Sequence, residues 1–268
     1  MAGNAIVVEN IEKFFPPALS GWRAFFSPFA RPTFRALAAI SLQVAPGESF
    51  AIVGANGAGK STLLRILTTL LLPTRGRATV DGCDVVRDPA AARRALGFHS
   101  GADAGFHPRL TAAQNLRFYA TLRDLTSRQI EARISATASL LGLSEALPRQ
   151  VRTLSSGTVQ RLSLARAVIH SPRVLLLDEP TRSLDPLAAA EFRSFLRKDL
   201  ISHDGATLLF ASHSLAEVES LADRVALFDA GHLLFCGTPA EMRRAVGAQS
   251  LEEAMSLLIA HALNAREA

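Results

Sequence analysis

The chain has few cysteines, a single tryptophan and no long apolar run. Its two cysteines, Cys83 and Cys236, lie far apart and lack the spacing of metal ligands. Arginine interrupts the apolar stretches, so no window reaches the roughly 18 apolar residues that a membrane-spanning helix needs. The first residues lack the basic region and hydrophobic segment of a signal peptide. These absences predict a reduced, cytosolic polypeptide that does not itself cross a membrane.

Basic charge is abundant but is not concentrated in any segment. The formal net charge is +5, yet no block of roughly five or six basic residues occurs. Dispersed arginines favour solvated surfaces over a nucleic-acid groove, so we expect no nucleic-acid partner. With 268 residues and 49% hydrophobic content, the chain can bury a full core, as one large domain or two intimately joined ones.

Residues 54 to 61 fit the phosphate-binding pattern G-x-x-x-x-G-K-S, between a strand-like apolar run at 49–53 and a helix-like run at 62–67. Glycines let backbone N–H groups surround a phosphate, and the following helix directs its positive end at the same anion. Lys60 adds a slim point charge in a chain with only three lysines, and the Ser61 hydroxyl can ligate Mg²⁺. These neighbours disfavour an ordinary glycine-rich turn. The pattern predicts binding of a nucleoside triphosphate.

Two apolar runs end in polar side chains that are suited to catalysis. Residues 173–177 lead into Asp178 and Glu179, and residues 206–211 lead into Ser212 and His213. Such continuous apolar runs are typical of buried parallel strands, whose carboxyl ends deliver side chains to a ligand crevice. Residues 111–147 have helical spacing, which predicts a helical insertion in an α/β protein.

Residues 154–161, Leu-Ser-Ser-Gly-Thr-Val-Gln-Arg, precede the acidic strand end. Together with the phosphate loop and His213, this segment resembles the ATP-binding cassette (ABC) superfamily, whose signature is L-S-G-G-Q; the resemblance covers nearly the full length. It implies an α/β P-loop NTPase (RecA-like) core with an antiparallel β subdomain and an inserted α-helical signature subdomain. We expect a single domain over 1–268, with its core in 1–100 and 170–230, the helical subdomain in 101–169 and a C-terminal strand and helix extension in 231–268.

The resemblance also implies a role for individual residues. Glu179 matches the general base, His213 the histidine that contacts the γ-phosphate, and Lys60 the residue that neutralises phosphate charge. Ser61 and Asp178 match the Mg²⁺ ligands, Phe15 the aromatic that stacks on adenine, and Asp185 the aspartate that touches a partner subunit. The implied ATP contacts are Phe15, Gly54, Asn56, Gly57, Gly59, Lys60, Ser61, Thr62, Ser155, Ser156, Gly157 and Asp185.

As the resemblance implies, the signature of one chain binds ATP held by another chain, in a head-to-tail homodimer docked peripherally on a separate permease at the cytoplasmic face of the inner membrane. The family's glutamine is replaced here by Gly101, and we expect Asp103 to substitute for it in part; an ordinary surface loop is an equal alternative. Similarity to cassettes of ABC-2-type exporters favours export over uptake, with a lipid-linked glycan, a lipid or a drug as candidate cargo. The C-terminal stretch is short, so we expect no appended cargo-binding domain.

The stretch from residue 16 to residue 35 is rich in aromatic residues. Trp22, Phe25, Phe26 and Phe29 lie at i, i+3, i+4 and i+7, which predicts a short amphipathic helix at the membrane or permease surface, or else a satellite core.

Two other functions compete with transport. A soluble cassette ATPase acting on DNA or ribosomes usually has coiled-coil inserts or a second cassette, which this chain lacks. A regulator without turnover would not need Glu179 and His213.

Overall fold

A computed structural model describes residues 3–16, 34–100, 105–182, 184–201 and 205–267. The predictions for Trp22, Phe25, Phe26, Phe29, Gly101 and Asp103 lie outside the described residues and stay predictions.

The strands are β1 (Ile6–Phe15), β2 (Phe34–Val44), β3 (Ser49–Val53), β4 (Arg75–Val80), β5 (Cys83–Asp84), β6 (Leu96–Ser100), β7 (Val174–Asp178), β8 (Thr207–Ala211), β9 (Arg224–Asp229) and β10 (His232–Gly237). The helices are α1 (Lys60–Leu67), α2 (Pro89–Ala95), α3 (Ala112–Thr121), α4 (Ser127–Leu140), α5 (Ser156–Val168), α6 (Pro186–Phe195), α7 (Leu215–Leu221), α8 (Pro239–Val246) and α9 (Leu251–Glu267).

A six-stranded sheet in the order β10-β9-β3-β8-β7-β6 forms the centre of the fold. All neighbours in it pair parallel except β10, which is antiparallel to β9. Strands β3 and β8 are buried at every residue, as their continuous apolar sequences predict for strands that are covered on both faces. Parallel pairing brings the carboxyl ends of β3, β6, β7 and β8 to one edge of the sheet.

An antiparallel sheet in the order β2-β1-β4-β5 packs beside the central one. Its apolar residues share a core with α1 and one face of the central sheet, where Phe50, Ile52, Leu63 and Leu67 are buried. Burial of each such side chain contributes about 2 kcal/mol. The predicted antiparallel β subdomain is therefore present.

Helices α3, α4 and α5 lie between β6 and β7 in the chain and cover the other face of the sheet. Their starts are fixed locally, because Thr111 with Gln114 and Thr126 with Gln129 form reciprocal caps. The predicted helical insertion is confirmed, with a break after Thr121. Within the described residues no helix is both long and apolar enough to span a bilayer.

Candidate nucleotide site

The loop at residues 54–59 joins β3 to α1 and depends on glycine for close packing. A Cβ on Gly54, whose φ is 149°, would lie 2.2 Å from the carbonyl oxygen of Phe228. A Cβ on Gly59, whose φ is 106°, would lie 2.7 Å from the carbonyl oxygen of Ala36. Real side chains do not tolerate these contacts or these dihedral angles. The two glycines therefore let the loop lie against β9 and β2.

Lys60 begins α1, and its side chain is folded back under the loop. Its Nζ donates hydrogen bonds of 2.7 Å to the carbonyl of Gly54 and 3.1 Å to that of Ala55. Burial lowers the pKa of Lys60, and the carboxylates of Glu179 and Asp178 oppose that shift. The ammonium group is thus held inside the loop that the sequence predicted to surround phosphates.

Asp178 ends β7 opposite the first turn of α1. The Ser61 hydroxyl donates to its Oδ1 at 3.1 Å. Burial raises the pKa of Asp178, Glu179 raises it further, and the Ser61 hydrogen bond, Arg65 and Lys60 lower it. A hydroxyl and a carboxylate in contact are oxygen ligands of the kind that Mg²⁺ takes together with nucleotide phosphates. The donor set therefore fits this ion.

Glu179 adopts a left-handed backbone conformation, with φ of 52°. Its N–H donates to the carbonyl of Ala211 at 2.9 Å, which ties the residue to the end of β8. A non-glycine residue in this conformation costs roughly 1–3 kcal/mol, so the sheet edge must hold it there. Its Oε2 lies 2.5 Å from Nδ1 of His213. The structure thus brings together the two predicted catalytic residues from different strand ends.

A cavity of about 370 Å³ lies above the loop. Eight predicted site residues line it: Asn56, Gly57, Gly59, Lys60, Ser61, Thr62, Asp178 and Glu179. Further lining residues that sequence reasoning missed are Phe34, Ala36, Arg65, Ser100 and Arg182. Phe34 belongs to the aromatic stretch that the sequence singled out for another role. A cavity of this size is in the usual range for small-molecule sites.

Two aromatic residues, Phe15 at the end of β1 and Phe34 at the start of β2, have different surroundings. Phe15 and Phe34 are paired across β1 and β2, but Phe34 lies on the cavity wall and Phe15 is not among the lining residues. The Lys13 ammonium lies 5.1 Å from the centroid of the Phe15 ring, within cation–π range. Adenine stacking on Phe15 remains a prediction, and Phe34 is a second candidate.

Ser155 caps α5, with its Oγ accepting from the Thr158 N–H at 3.2 Å. Together with Ser156 and Gly157 it lines a second cavity of about 630 Å³, whose lining includes no residue of the first cavity. Asp185 also lines the second cavity, and it caps α6 by accepting from two backbone N–H groups at 3.1 and 3.0 Å. One chain therefore keeps its predicted signature residues away from its own phosphate loop.

Three polar side chains outside the predicted site are wholly or partly buried. His99 and His170 have pKa values lowered to about 4, mainly by burial. Glu217 is almost fully buried and accepts a hydrogen bond from the Thr181 hydroxyl. Sequence reasoning missed Glu217, whose only signal was an acid four residues after His213.

Comparison with known proteins finds a match to the ABC transporter family model over residues 37–182. The ABC transporter ATP-binding protein NatA of Bacillus subtilis is 37% identical over 203 residues, which are 76% of this chain and 82% of NatA. The daunorubicin resistance ATP-binding protein DrrA3 of Streptomyces coeruleorubidus is 38% identical over 252 residues, 94% of this chain and 74% of DrrA3. The dimeric cassette MJ0796 in a post-hydrolysis state, bound to ADP and Pi, has the same fold, with a TM-score of 0.73, 23% identity and coverage of 87% of this chain and 98% of that one.

Proposed function

The chain belongs to the ABC transporter family and is an ATPase of that family, and from this premise we propose that it hydrolyses ATP to drive export through a separately encoded permease. The contact of His213 with Glu179, which lines one cavity together with Lys60, Ser61 and Asp178, is the observation that carries the proposed chemistry. Soluble action on nucleic acid or ribosomes is the alternative, and the dispersed basic charge does not favour it.

Hydrolysis of ATP requires positioning of a water molecule and neutralisation of charge on the γ-phosphate. Water oxygen attacks the γ-phosphorus, the bond to the β-phosphate bridging oxygen breaks, and Glu179 takes the water proton. His213 orients that carboxylate by donating from Nδ1, while Lys60 faces the phosphates from the loop. When held by Ser61 and Asp178, Mg²⁺ would supply further charge neutralisation.

Two chains complete each site in this proposal. The signature residues at the start of α5 and the phosphate loop line separate cavities of one chain. The N-terminus of a helix favours anions, so residues 155–157 are suited to bind the γ-phosphate of a nucleotide that the opposite chain holds. The dimeric state described for MJ0796 supports such a pairing.

The proposed permease contact is a groove of about 300 Å³ formed by the segment after α1 together with α2, β6, the end of α3 and α5. Its rim exposes Leu70 and Leu122, which are 67% and 63% exposed. Three guanidinium groups, those of Arg93, Arg123 and Arg166, also line it. An apolar groove with cationic side chains is complementary to an amphipathic cytoplasmic segment of the permease that carries acidic residues. Strand β6 lines the groove with Leu96 and Phe98, and its last residue, Ser100, lines the cavity above the phosphate loop, which we call the nucleotide cavity.

The direction and class of cargo come from relatives. DrrA3 is named for resistance to daunorubicin, and removal of a drug is a direct route to resistance. We therefore place this chain at the cytoplasmic face of the membrane as part of an exporter of an amphiphilic compound, with a drug favoured over a lipid or a lipid-linked glycan.

Replacement of Glu179 tests the catalytic part of the proposal. Glu179→Gln should retain ATP binding and lose hydrolysis by about 10³-fold, because an amide cannot accept the water proton. The ATP-bound dimer should then persist in gel filtration with Mg-ATP. Glu219→Gln, an exposed change on α7, serves as the matched control and should keep the wild-type rate. A Glu179→Gln variant with near-normal turnover would exclude the proposed base.

Membrane association tests the transport part. The wild-type chain, expressed in its native cell, should sediment with membranes, and the double variant Leu70→Asp and Leu122→Asp should remain in the soluble fraction, because both carboxylates would lie in the apolar rim of the groove. Unaltered basal hydrolysis would show that the variant is folded. Sedimentation of the wild type with ribosomes or DNA, and not with membranes, would favour the alternative function.

A further inference from the structure

His99 is a fully buried histidine on the strand that leads to the nucleotide cavity. Its neighbour Ser100 lines that cavity and is paired with Asp178 across β6 and β7. Because successive strand residues point to opposite faces, His99 points away from the loop and toward α5. There its ring lies 6.5 Å from that of Phe192, in the core beneath the signature helix.

The His99 ring is hydrogen-bonded to the middle of the signature helix. Its Nδ1 lies 3.0 Å from the Ser163 hydroxyl, which also accepts from the Arg166 guanidinium at 3.3 Å. Because arginine can only donate, the Ser163 hydrogen is available to Nδ1, and neutral His99 then carries its proton on Nε2. The same Arg166 group lies over the rings of Phe106 and Tyr119, at 5.1 and 5.0 Å.

The strand position of His99 ties it to the strand that leads to the general base. His99 is paired with Leu177 of β7, two residues before Glu179, and its Nε2 makes no hydrogen bond within the described residues. The backbone of Pro180, the residue after Glu179, opposes the lowering of the His99 pKa. Burial of a polar imidazole costs free energy that an aliphatic residue would avoid. His99 thus lies between the strand that leads to Glu179 and the signature helix.

We propose that His99 is a positioning residue that couples the Glu179 segment to α5, so that closure of one ATP site adjusts the signature residues presented to the other site. This coupling presupposes the two-chain function proposed above. In one chain the phosphate loop and the signature line separate cavities, so contacts inside each chain provide a route between the two ATP sites of a dimer. The path from β7 through His99 to Ser163 is such a route.

The test replaces both ends of the hydrogen bond in the full-length chain. His99→Leu and Ser163→Ala should each lower kcat about tenfold and bring the Hill coefficient for ATP toward one, with KM for ATP changed less than about twofold, since the phosphate loop is untouched. His99→Asn keeps a polar group near the position of Nδ1 and should restore most of the rate and cooperativity. The double variant should be no worse than either single one.

His170→Leu is the matched control. His170 is a second core histidine with a pKa lowered to about 4, and it is bonded to the Leu96 carbonyl at 3.0 Å and not to α5. It should keep wild-type kcat and cooperativity.

Thermal melting of every variant shows whether the chain is folded. If His99→Leu is unfolded, Ser163→Ala alone tests the proposal. Normal cooperativity in folded His99→Leu or Ser163→Ala, or equal loss in His170→Leu, would overturn the coupling role. Non-cooperative hydrolysis by the wild type would instead contradict the two-chain function itself.

Discussion

The nucleotide cavity and the signature cavity of this chain are built by different means. The first has a wall of backbone and charge: glycines packed against carbonyl oxygens, a buried ammonium and two carboxylates. The second has two capped helix starts, at Ser155 and Asp185, and a wall that includes Leu140, Leu141, Leu184, Phe192 and Phe195. The difference agrees with the two-chain proposal, in which one chain holds the phosphates and contributes its signature residues to the nucleotide of its partner.

The electrostatics of the nucleotide cavity agree with that view. Burial lowers the pKa of Lys60 and raises that of Asp178, so the interior disfavours the charged form of both. A triphosphate with its cation brings a negative charge to the lysine and a positive charge to the aspartate. The strongest expected effects therefore lie in this cavity.

Loss of the Lys60 ammonium should have the largest effect. Lys60→Ala should abolish ATP binding and lower hydrolysis by about 10³-fold. Lys60→Arg should fail nearly as badly, because a planar guanidinium does not fit between the carbonyls of Gly54 and Ala55. Binding of a fluorescent ATP analogue and phosphate release measure both effects. Lys198→Arg is the control at an exposed position. ATP binding retained in Lys60→Ala would contradict the assignment of phosphate binding to the cavity that contains Lys60.

Two glycine substitutions should then separate folding from dimer function. Gly54→Ala should lower the free energy of unfolding by about 3 kcal/mol, since the new Cβ meets the Phe228 carbonyl at 2.2 Å. Gly157→Val should leave stability and ATP binding nearly unchanged, because the nearest atom, on Leu184, is 3.7 Å from an added Cβ. It should still lower hydrolysis about 10²-fold by blocking the partner's nucleotide. Denaturant titration and ATPase assays decide, and full activity of Gly157→Val would contradict a shared site.

Acid should destabilise the chain through His99 and His170. The pKa of His99 is lowered to about 4 by burial and Arg166, and that of His170 to about 4 by burial and Arg123. Below pH 6.5 the unfolded chain binds protons that the folded chain does not, so stability falls as pH drops from about 6.5 toward about 4. The loss is up to about 3 kcal/mol for His99 and less for the partly exposed His170. Urea unfolding at pH 7.5 and 5.0 should show a smaller difference in His99→Leu than in wild type.

The smallest expected effect concerns the aromatic residue that contacts adenine. Phe34→Ala should raise KM for ATP about fivefold, and Phe15→Ala less, because Phe34 lines the cavity and Phe15 packs against Lys13. Steady-state kinetics of both variants provide the comparison. A larger rise in Phe15→Ala would restore the sequence-based assignment.

Much of the fold was predictable because its signals are local. The runs that form β3, β7 and β8 are mostly apolar, and each capping pair at the helix starts of the insertion is only three residues apart in the sequence. Phe34 was missed as a wall residue because its position follows from pairing with β1.

The sequence by itself determined the phosphate loop, the buried strands and the capped signature helix, because glycine spacing, apolar runs and capping act within a few residues. Only the tertiary structure decided which side chains meet. Ser61 contacts Asp178 from 117 positions away, His99 contacts Ser163 from 64, and Glu179 contacts His213 from 34. Those contacts depend on the order and register of parallel strands, which the packing of the whole sheet fixes and no local pattern specifies.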